Sequence, residues 1–330
     1  MVAGWLRRSI NPPGSRSRPG GAVRGEGPLL TNDVLESLQR LAIASQRVQT
    51  GGFAGEHRSK LRGVSPEFAD FKSYSPGDDF RRVDWNLYAR FDELFVRLSE
   101  VTTDLSVHFL IDASASMDWR SRDDVPTKFR FARQIAGAIA YIALWRFDRV
   151  LVTPFNDQLR PGFGPGHGRS EVGPLINFLS ECRASGGTDL TDVVARYLHQ
   201  HPRPGLMIVV SDLLSSETLD LSLAIRAIRS RGWEVTVIQL VDDGELKPDS
   251  LFAGGDGADP VTIVDAESNG TLMITPNRAT LDRYEQTVTT WLAEVESACT
   301  DQGARYLRLA TSEPIGAVVM RQLHRRGLLS

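Results

Sequence analysis

The sequence feature that most constrains the fold is an apolar run, residues 107–111, which ends at Asp112 and is followed by Ser114 and Ser116. A short apolar run rich in β-forming residues is typical of a strand that is covered on both faces of a sheet. Residues 129–145 follow with apolar side chains at helical spacing, which predicts a helix. Ligands bind at the carboxyl ends of strands in such βαβ units, so the sequence places these three polar side chains where a ligand would bind.

Asp112, Ser114 and Ser116 form an Asp-x-Ser-x-Ser pattern whose oxygens suit a hard divalent cation. Mg²⁺ is usually held by one or two carboxylates, with waters completing an octahedron. Two hydroxyls two residues apart on a tight loop can point the same way, and the carboxylate supplies charge. The alternative is a strand end followed by a helix-capping turn, so the pattern needs support from the rest of the chain.

Two later stretches supply that support. Thr188 lies in a Gly-Gly-Thr-Asp segment that precedes a helical pattern over residues 190–199. Asp212 ends a second apolar run that begins at Leu206 and again has the character of a buried strand. A hydroxyl and a second carboxylate therefore recur at loop positions of the same α/β pattern.

These polar positions resemble the metal-ion-dependent adhesion site of the von Willebrand factor A family, in which Asp-x-Ser-x-Ser is followed by a distant Thr and a distant Asp. The matching positions are Asp112, Ser114, Ser116, Thr188 and Asp212. The resemblance implies an α/β fold of the von Willebrand A-like, Rossmann type, with a mostly parallel sheet flanked by helices. It also implies Mg²⁺, or Mn²⁺ or Ca²⁺, as the cofactor. Asp118 and Asp189 are expected to hydrogen-bond the waters or hydroxyls that hold the ion.

The segment before the first apolar run interleaves acids, arginines and aromatic residues around a Pro-Gly turn. This composition favours an ion-paired network that fixes an irregular segment, with a recognition surface or a carboxylate cluster as the alternative. The segment resembles the hallmark of the domain of unknown function 58 family. The residues that carry this resemblance are Tyr74, Pro76, Gly77, Asp78, Asp79, Arg81, Asp84, Trp85 and Arg90. The resemblance implies a von Willebrand A-like domain that is often encoded beside a MoxR-type AAA+ ATPase.

Composition excludes several classes of protein. The net charge of −3 argues against a surface built throughout for nucleic acid. Cys182 and Cys299 do not make a disulfide framework, which indicates a reducing compartment. The apolar runs are too short to span a bilayer, and the start lacks the apolar core of a signal peptide. We therefore expect a cytoplasmic protein with no transmembrane segment and no nucleic-acid partner.

Three parts are predicted along the chain: a disordered basic tail at residues 1–28, a family-specific N-terminal segment at 29–103, and a von Willebrand A-like domain at 104–330. A β-hairpin insertion with an Asn-Gly turn is expected near residues 261–275. Residues 161–168 are rich in glycine and proline, which predicts a surface loop.

The sequence has no phosphate-binding loop and no Ser-His-Asp or Cys-His signature, so an enzyme is not expected. The leading hypothesis is a divalent-cation-dependent protein-interaction module in which an Asp or Glu of a partner completes the coordination of the ion. The family resemblance implies that the partner is a MoxR-type AAA+ ATPase or its client, with this chain as an adaptor or co-chaperone. The alternative is a metal-dependent hydrolase or phosphotransferase that uses the same acids.

Overall fold

The chain forms two compact units in a computed structural model. The larger unit comprises Met1–Thr50 and Leu105–Ser330, and the smaller unit comprises Gly51–Asp104. The structure describes residues 8–10, 27–50, 70–75, 80, 83–98, 105–214, 218–247, 261–265, 271–274 and 277–319. Each unit is considered by itself.

Strands and helices alternate over most of the larger unit, and residues 70–98 of the smaller unit also form strands and a helix. The strands are β1 (Arg8–Ile10), β2 (Asp70–Ser73), β3 (Phe95–Leu98), β4 (Ser106–Asp112), β5 (Arg149–Phe155), β6 (Phe163–His167), β7 (Leu206–Ser211), β8 (Glu234–Val241), β9 (Val261–Asp265), β10 (Thr271–Ile274) and β11 (Arg305–Ala310). The helices are α1 (Asn32–Thr50), α2 (Trp85–Phe91), α3 (Lys128–Trp145), α4 (Val172–Glu181), α5 (Leu190–Gln200), α6 (Thr218–Ser230), α7 (Asp243–Leu246), α8 (Arg278–Asp301) and α9 (Ile315–Ala317). Short 3-10 turns span Ala115–Met117 and Arg169–Glu171.

Six strands of the larger unit form one sheet in the order β11-β8-β7-β4-β5-β6. Neighbouring strands are parallel, except that β6 runs antiparallel to β5 at one edge. Numbered along the chain, these strands follow the order 3-2-1-4-5-6 of doubly wound α/β sheets, whose direction of winding reverses between the first and fourth strands. That reversal lies between β4 and β7. The prediction of a mostly parallel α/β sheet flanked by helices is confirmed.

The sheet separates two apolar cores because successive side chains of a strand point to opposite faces. On one face, Phe109 and Ile111 pack with apolar residues of α1, α3 and α4. On the other face, Leu110 packs with residues of α5, α6 and α8. Helix α3 is buried over most of its length, which explains why its sequence is apolar on nearly every side.

Helix α1 belongs to the larger unit, which differs from the predicted grouping of residues 29–103. Leu38 is fully buried in the core that α3 lines. Just before the helix, the Leu29 carbonyl oxygen accepts a hydrogen bond from Gln134 Nε2 (2.9 Å). The Gly27 carbonyl oxygen accepts another from Arg130 Nη2 (3.0 Å). These contacts with α3 place the start of the separate unit after residue 50 rather than at residue 29.

Two segments that were predicted to be irregular contain strands. Residues 163–167 form β6, whereas the sequence predicted a loop over 161–168. An edge strand tolerates glycine and proline because one side of it needs no ladder hydrogen bonds. Gly164 has a φ of +104°, and a Cβ there would lie 2.4 Å from the Val150 carbonyl oxygen, so this edge requires glycine. Within the predicted disordered tail, β1 pairs antiparallel with β9.

The predicted hairpin is present. Strands β9 and β10 pair antiparallel, with Thr271 opposite Val264 and Ile274 opposite Val261. The predicted Asn-Gly turn at residues 269–270 lies outside the described residues.

The attachment of α1 to the larger unit leads to a stability prediction. Leu38→Ala removes a side chain with no exposed surface and should lower the free energy of unfolding by about 2–5 kcal/mol, measured by urea denaturation. The matched control is Leu219→Ala, because Leu219 is 66% exposed and its truncation should change that free energy by less than about 0.5 kcal/mol. Equal stabilities of the two variants would show that α1 does not pack on α3.

Candidate metal site

The candidate site is built by loops at the carboxyl ends of β4 and β7. After β4, the chain is tied to the loop that precedes α5 by two backbone hydrogen bonds. Ser185 N donates to the Ala113 carbonyl oxygen (2.7 Å), and Ala115 N donates to the Gly186 carbonyl oxygen (2.8 Å). Gly186 has a φ of +83°, a conformation that favours glycine. This tie brings Thr188 to the end of β4.

Asp112 is the centre of the hydrogen bonding, and its side chain is fully buried. Its Oδ1 accepts hydrogen bonds from Ser114 N (2.9 Å) and from Thr188 Oγ1 (3.0 Å). Its Oδ2 accepts one from Ser211 Oγ (2.5 Å), at the end of the neighbouring strand β7. Ser114 Oγ and Ser116 Oγ lie 3.0 Å apart. The structure therefore brings the Asp-x-Ser-x-Ser residues and Thr188 into one cluster.

Asp212 follows β7 directly and is held by a buried lysine. Its Oδ1 accepts a hydrogen bond from Leu214 N (3.2 Å), and its Oδ2 accepts one from Lys128 Nζ (2.7 Å). The same ammonium donates to Glu245 Oε1 (2.5 Å). The side chains of Lys128 and Asp212 are each 1% exposed, so this ion pair is shielded from water.

The charges of these groups act on one another because water is excluded. Burial raises the pKa of Asp112 from its ordinary 3.8 to about 6, and the nearby charge of Asp212 adds to the rise. Burial alone would lower the pKa of Lys128, but the attraction of Asp212 and Glu245 outweighs it, so the pKa is raised and the ammonium stays charged. Ionised Asp112, Asp212 and Glu245 with one lysine leave two negative charges, which a divalent cation would balance.

The donor set fits a hard cation that uses hydroxyls as well as carboxylates. Mg²⁺ binds oxygen ligands and keeps several waters, so two carboxylates and nearby hydroxyls are an appropriate set. Within the part of the chain that the structure describes, no three His, Cys, Asp or Glu side chains converge as a metal-binding group. A cation here would therefore depend on Ser114, Ser116 and Thr188.

The two flanking acids lie at the surface. Asp189 is exposed and serves as the N-cap of α5, where its Oδ1 accepts a hydrogen bond from Asp192 N (3.0 Å). Asp118 is exposed at the end of the 3-10 turn that contains Ser116. Their expected role, hydrogen-bonding the groups that hold an ion, stays a prediction.

The residues of the upstream motif are only partly described. Pro76, Gly77, Asp78, Asp79 and Arg81 lie outside the described residues.

Within the smaller unit, Asp84 Oδ1 accepts a hydrogen bond from Leu87 N (3.2 Å) at the start of α2. Phe80 makes edge-to-face ring contacts with Tyr74 and Trp85, at centroid distances of 5.8 and 5.3 Å. Arg90 is exposed in the last turn of α2. The described motif residues therefore make local contacts that cap a helix and link aromatic rings.

Three site residues were missed by the sequence analysis: Lys128, Ser211 and Glu245. Ser211 directly precedes Asp212, so a hydroxyl at the strand end was available as a signal. Lys128 begins a helix whose first turns also carry Arg130 and Arg133, so no local feature of the sequence singles it out as the cation with buried partners. Glu245 lies in the segment that follows β8, and no local pattern of the sequence ties it to the site.

Comparisons with known proteins place the chain among proteins of undefined role. The family described as "Protein of unknown function DUF58" matches residues 70–293. Uncharacterized proteins of Mycobacterium bovis and Mycobacterium tuberculosis are 25% identical over 299 residues, which is 89% of this chain and 90% of theirs.

Similar solved structures include an aerotolerance-related membrane protein from Bacteroides fragilis, with 14% identity and a TM-score of 0.42 over 68% of this chain and 99% of that one. An uncharacterized membrane-spanning protein from Vibrio fischeri has 13% identity and a TM-score of 0.22 over 67% and 98%. The manganese-loaded TRAP protein of Plasmodium vivax has 16% identity and a TM-score of 0.30 over 41% and 57%.

The descriptions of the first two structures as membrane proteins contradict the cytoplasmic location expected from the sequence, and that expectation is corrected. Among the helices that the structure describes, none has the length and apolar character needed to cross a membrane.

The raised pKa of Asp112 predicts how the stability of the metal-free protein depends on pH. A group whose pKa is higher in the folded state contributes stability below its unfolded value, and that contribution is lost as the pH rises through the folded value. Between pH 4 and 7 in chelator, the wild type should therefore lose up to about 3 kcal/mol of unfolding free energy relative to Asp112→Asn, which cannot ionise. Urea denaturation at several pH values measures the difference. If the unfolding free energies of the two proteins changed in parallel with pH, the raised pKa of Asp112 would be contradicted.

Proposed function

The chain belongs to the DUF58 family, and we propose that it is a divalent-cation-dependent protein-binding module. The observation that carries this proposal is the cluster at the carboxyl ends of β4 and β7. There two hydroxyls lie 3.0 Å apart beside buried carboxylates whose charge one lysine does not balance. Buried charges in proteins are paired or bind metals, so the excess negative charge favours a cation.

The residues that would hold the ion are Asp112, Ser114, Ser116, Thr188 and Asp212. The hydrogen bonds from Ser114 N and Ser211 Oγ fix the carboxylate of Asp112. Mg²⁺ is the cation that we propose, because a site with few carboxylates and several hydroxyl or water ligands suits its octahedral shell. When bound, the ion would supply a positive charge with an exchangeable position.

The partner that we propose is a protein that presents an Asp or Glu side chain to this position. A carboxylate on a cation is a charge-assisted contact, and it is strongest where the surroundings exclude water. The family resemblance is the support for a more specific partner, a MoxR-type AAA+ ATPase or its client, with this chain as an adaptor.

Binding is favoured over hydrolysis by the positions of the acids. A catalytic metal site needs a base beside the reacting water or hydroxyl. Asp189, which follows Thr188, accepts the Asp192 N–H as a helix cap. This contact gives Asp189 a structural role.

The proposal predicts partner capture that depends on the ion. The wild-type protein used as bait in a lysate of its native cell should retain in Mg²⁺ a partner that is lost in EDTA. Asp112→Asn should lose the partner in both conditions, because it keeps the size of the side chain but removes half of the carboxylate charge at the ion. Mass spectrometry of the retained proteins gives the measurement.

The control for this experiment is Asp192→Asn, which removes an acid of α5 whose side chain is 43% exposed and pairs with Arg196. It should bind like the wild type, and circular dichroism should show that both variants are folded. A partner retained equally in EDTA, or by Asp112→Asn, would contradict the proposal.

A further inference from the structure

Lys128 forms a buried ion pair with Asp212, one of the two carboxylates of the candidate metal site. We propose that Lys128 determines ion selectivity: by holding one oxygen of Asp212, it prevents that carboxylate from binding an ion through both oxygens and so disfavours Ca²⁺ relative to Mg²⁺ and Mn²⁺. This inference rests on the proposed function, since it concerns the ion of the same site.

The lysine is fixed in place from several directions. Its ammonium lies between the carboxylates of Asp212 (2.7 Å) and Glu245 (2.5 Å). It lies 5.8 Å from the centre of the Trp119 ring, a distance at which cation–π attraction acts. Its backbone N–H donates to the Trp119 carbonyl oxygen (3.1 Å), and Thr127 caps the helix that it begins. A fully buried side chain held in this way cannot swing away without leaving both carboxylates unpaired.

Asp212 is equally fixed, and both of its carboxylate oxygens are engaged. Lys128 Nζ donates to Oδ2, and Leu214 N donates to Oδ1. Leu213, the residue between Asp212 and Leu214 in the sequence, has a φ of +59°, the left-handed conformation that non-glycine residues seldom adopt. The Asp212 carbonyl oxygen also accepts a hydrogen bond from Gln239 Nε2 (3.3 Å). The carboxylate therefore keeps one orientation, with an ammonium on one oxygen.

This arrangement distinguishes the two common divalent cations by their coordination. Ca²⁺ takes six to eight oxygens and often binds a carboxylate through both oxygens, whereas Mg²⁺ needs six ligands and uses few carboxylates with waters. Asp112 does not offer both of its oxygens to Ca²⁺ in place of Asp212, because its Oδ1 already accepts two hydrogen bonds and its Oδ2 accepts one. A site whose carboxylates can each give one oxygen, beside Ser114 and Ser116, meets the needs of Mg²⁺ and falls short of those of Ca²⁺.

Glu245 provides a matched test, because it shares the ammonium of Lys128. The double variant Lys128→Met with Glu245→Gln removes one positive and one negative charge, so the net charge of the site stays the same while Oδ2 of Asp212 becomes free. Glu245→Gln alone lowers the negative charge but leaves the contact between Lys128 and Asp212. The pair of variants separates the effect of charge from the effect of the lysine contact.

The experiment measures Mn²⁺ binding to the full chain by electron paramagnetic resonance and displaces the Mn²⁺ with Mg²⁺ or Ca²⁺. The wild type should bind Mg²⁺ more tightly than Ca²⁺. The double variant should shift the ratio of the two affinities toward Ca²⁺ by about tenfold or more, the size of effect that partners of metal ligands commonly have. Glu245→Gln should weaken both ions and leave their ratio unchanged.

Each outcome decides the inference. A wild type that binds Ca²⁺ as tightly as Mg²⁺ overturns it, and this measurement does not depend on whether the variants fold. An unchanged ratio in a double variant that is folded by circular dichroism also overturns it, while the proposed function stands. A wild type that binds neither Mn²⁺ nor Mg²⁺ overturns both the inference and the proposed function.

Discussion

Buried negative charge at the ends of two adjacent parallel strands is the constraint on which the site depends. Strands β4 and β7 pair in a register that sets Ile111 opposite Val210, so Asp112 and Ser211 end the strands side by side and Asp212 follows. Two buried carboxylates this close repel each other, which is one cause of the raised pKa of Asp112. Lys128, the N–H groups of the loops and the neighbouring hydroxyls offset this cost. The polar groups on these loops are therefore arranged around the charges of Asp112 and Asp212.

A second layer of hydrogen bonds links this centre to the remaining loops at the same edge of the sheet. Asp242, which follows β8, accepts hydrogen bonds from Ser121 N (3.2 Å), Gly244 N (2.8 Å) and Thr311 Oγ1 (3.1 Å). Glu245 Oε2 accepts the Asp242 N–H (3.2 Å) while its other oxygen receives Lys128. Loops from four parts of the chain are thus held by one connected polar network, which favours a site whose geometry is set before any ligand binds.

The sequence was informative where one local pattern fixed the structure. Residues 107–111 and 206–210 are apolar runs that end in polar side chains, and this pattern was sufficient to predict two buried strands. The grouping of Asp112, Thr188 and Asp212 came from the resemblance to the metal-ion-dependent adhesion site. Lys128 was not predicted because its partners lie 84 and 117 residues away, and helical periodicity carries no information on such contacts. Strand β6 was missed because glycine and proline indicate a loop, and only pairing with β5 at the sheet edge makes a strand of them.

A crystal of the protein soaked in Mn²⁺, with anomalous scattering recorded for the metal, tests the central claim most directly. The account predicts one strong anomalous peak beside Ser114 Oγ and Ser116 Oγ, with Asp112, Thr188 and Asp212 around it and with Lys128 still bound to Asp212. Absence of a peak there at a saturating Mn²⁺ concentration would contradict the claim that the cluster is a cation site.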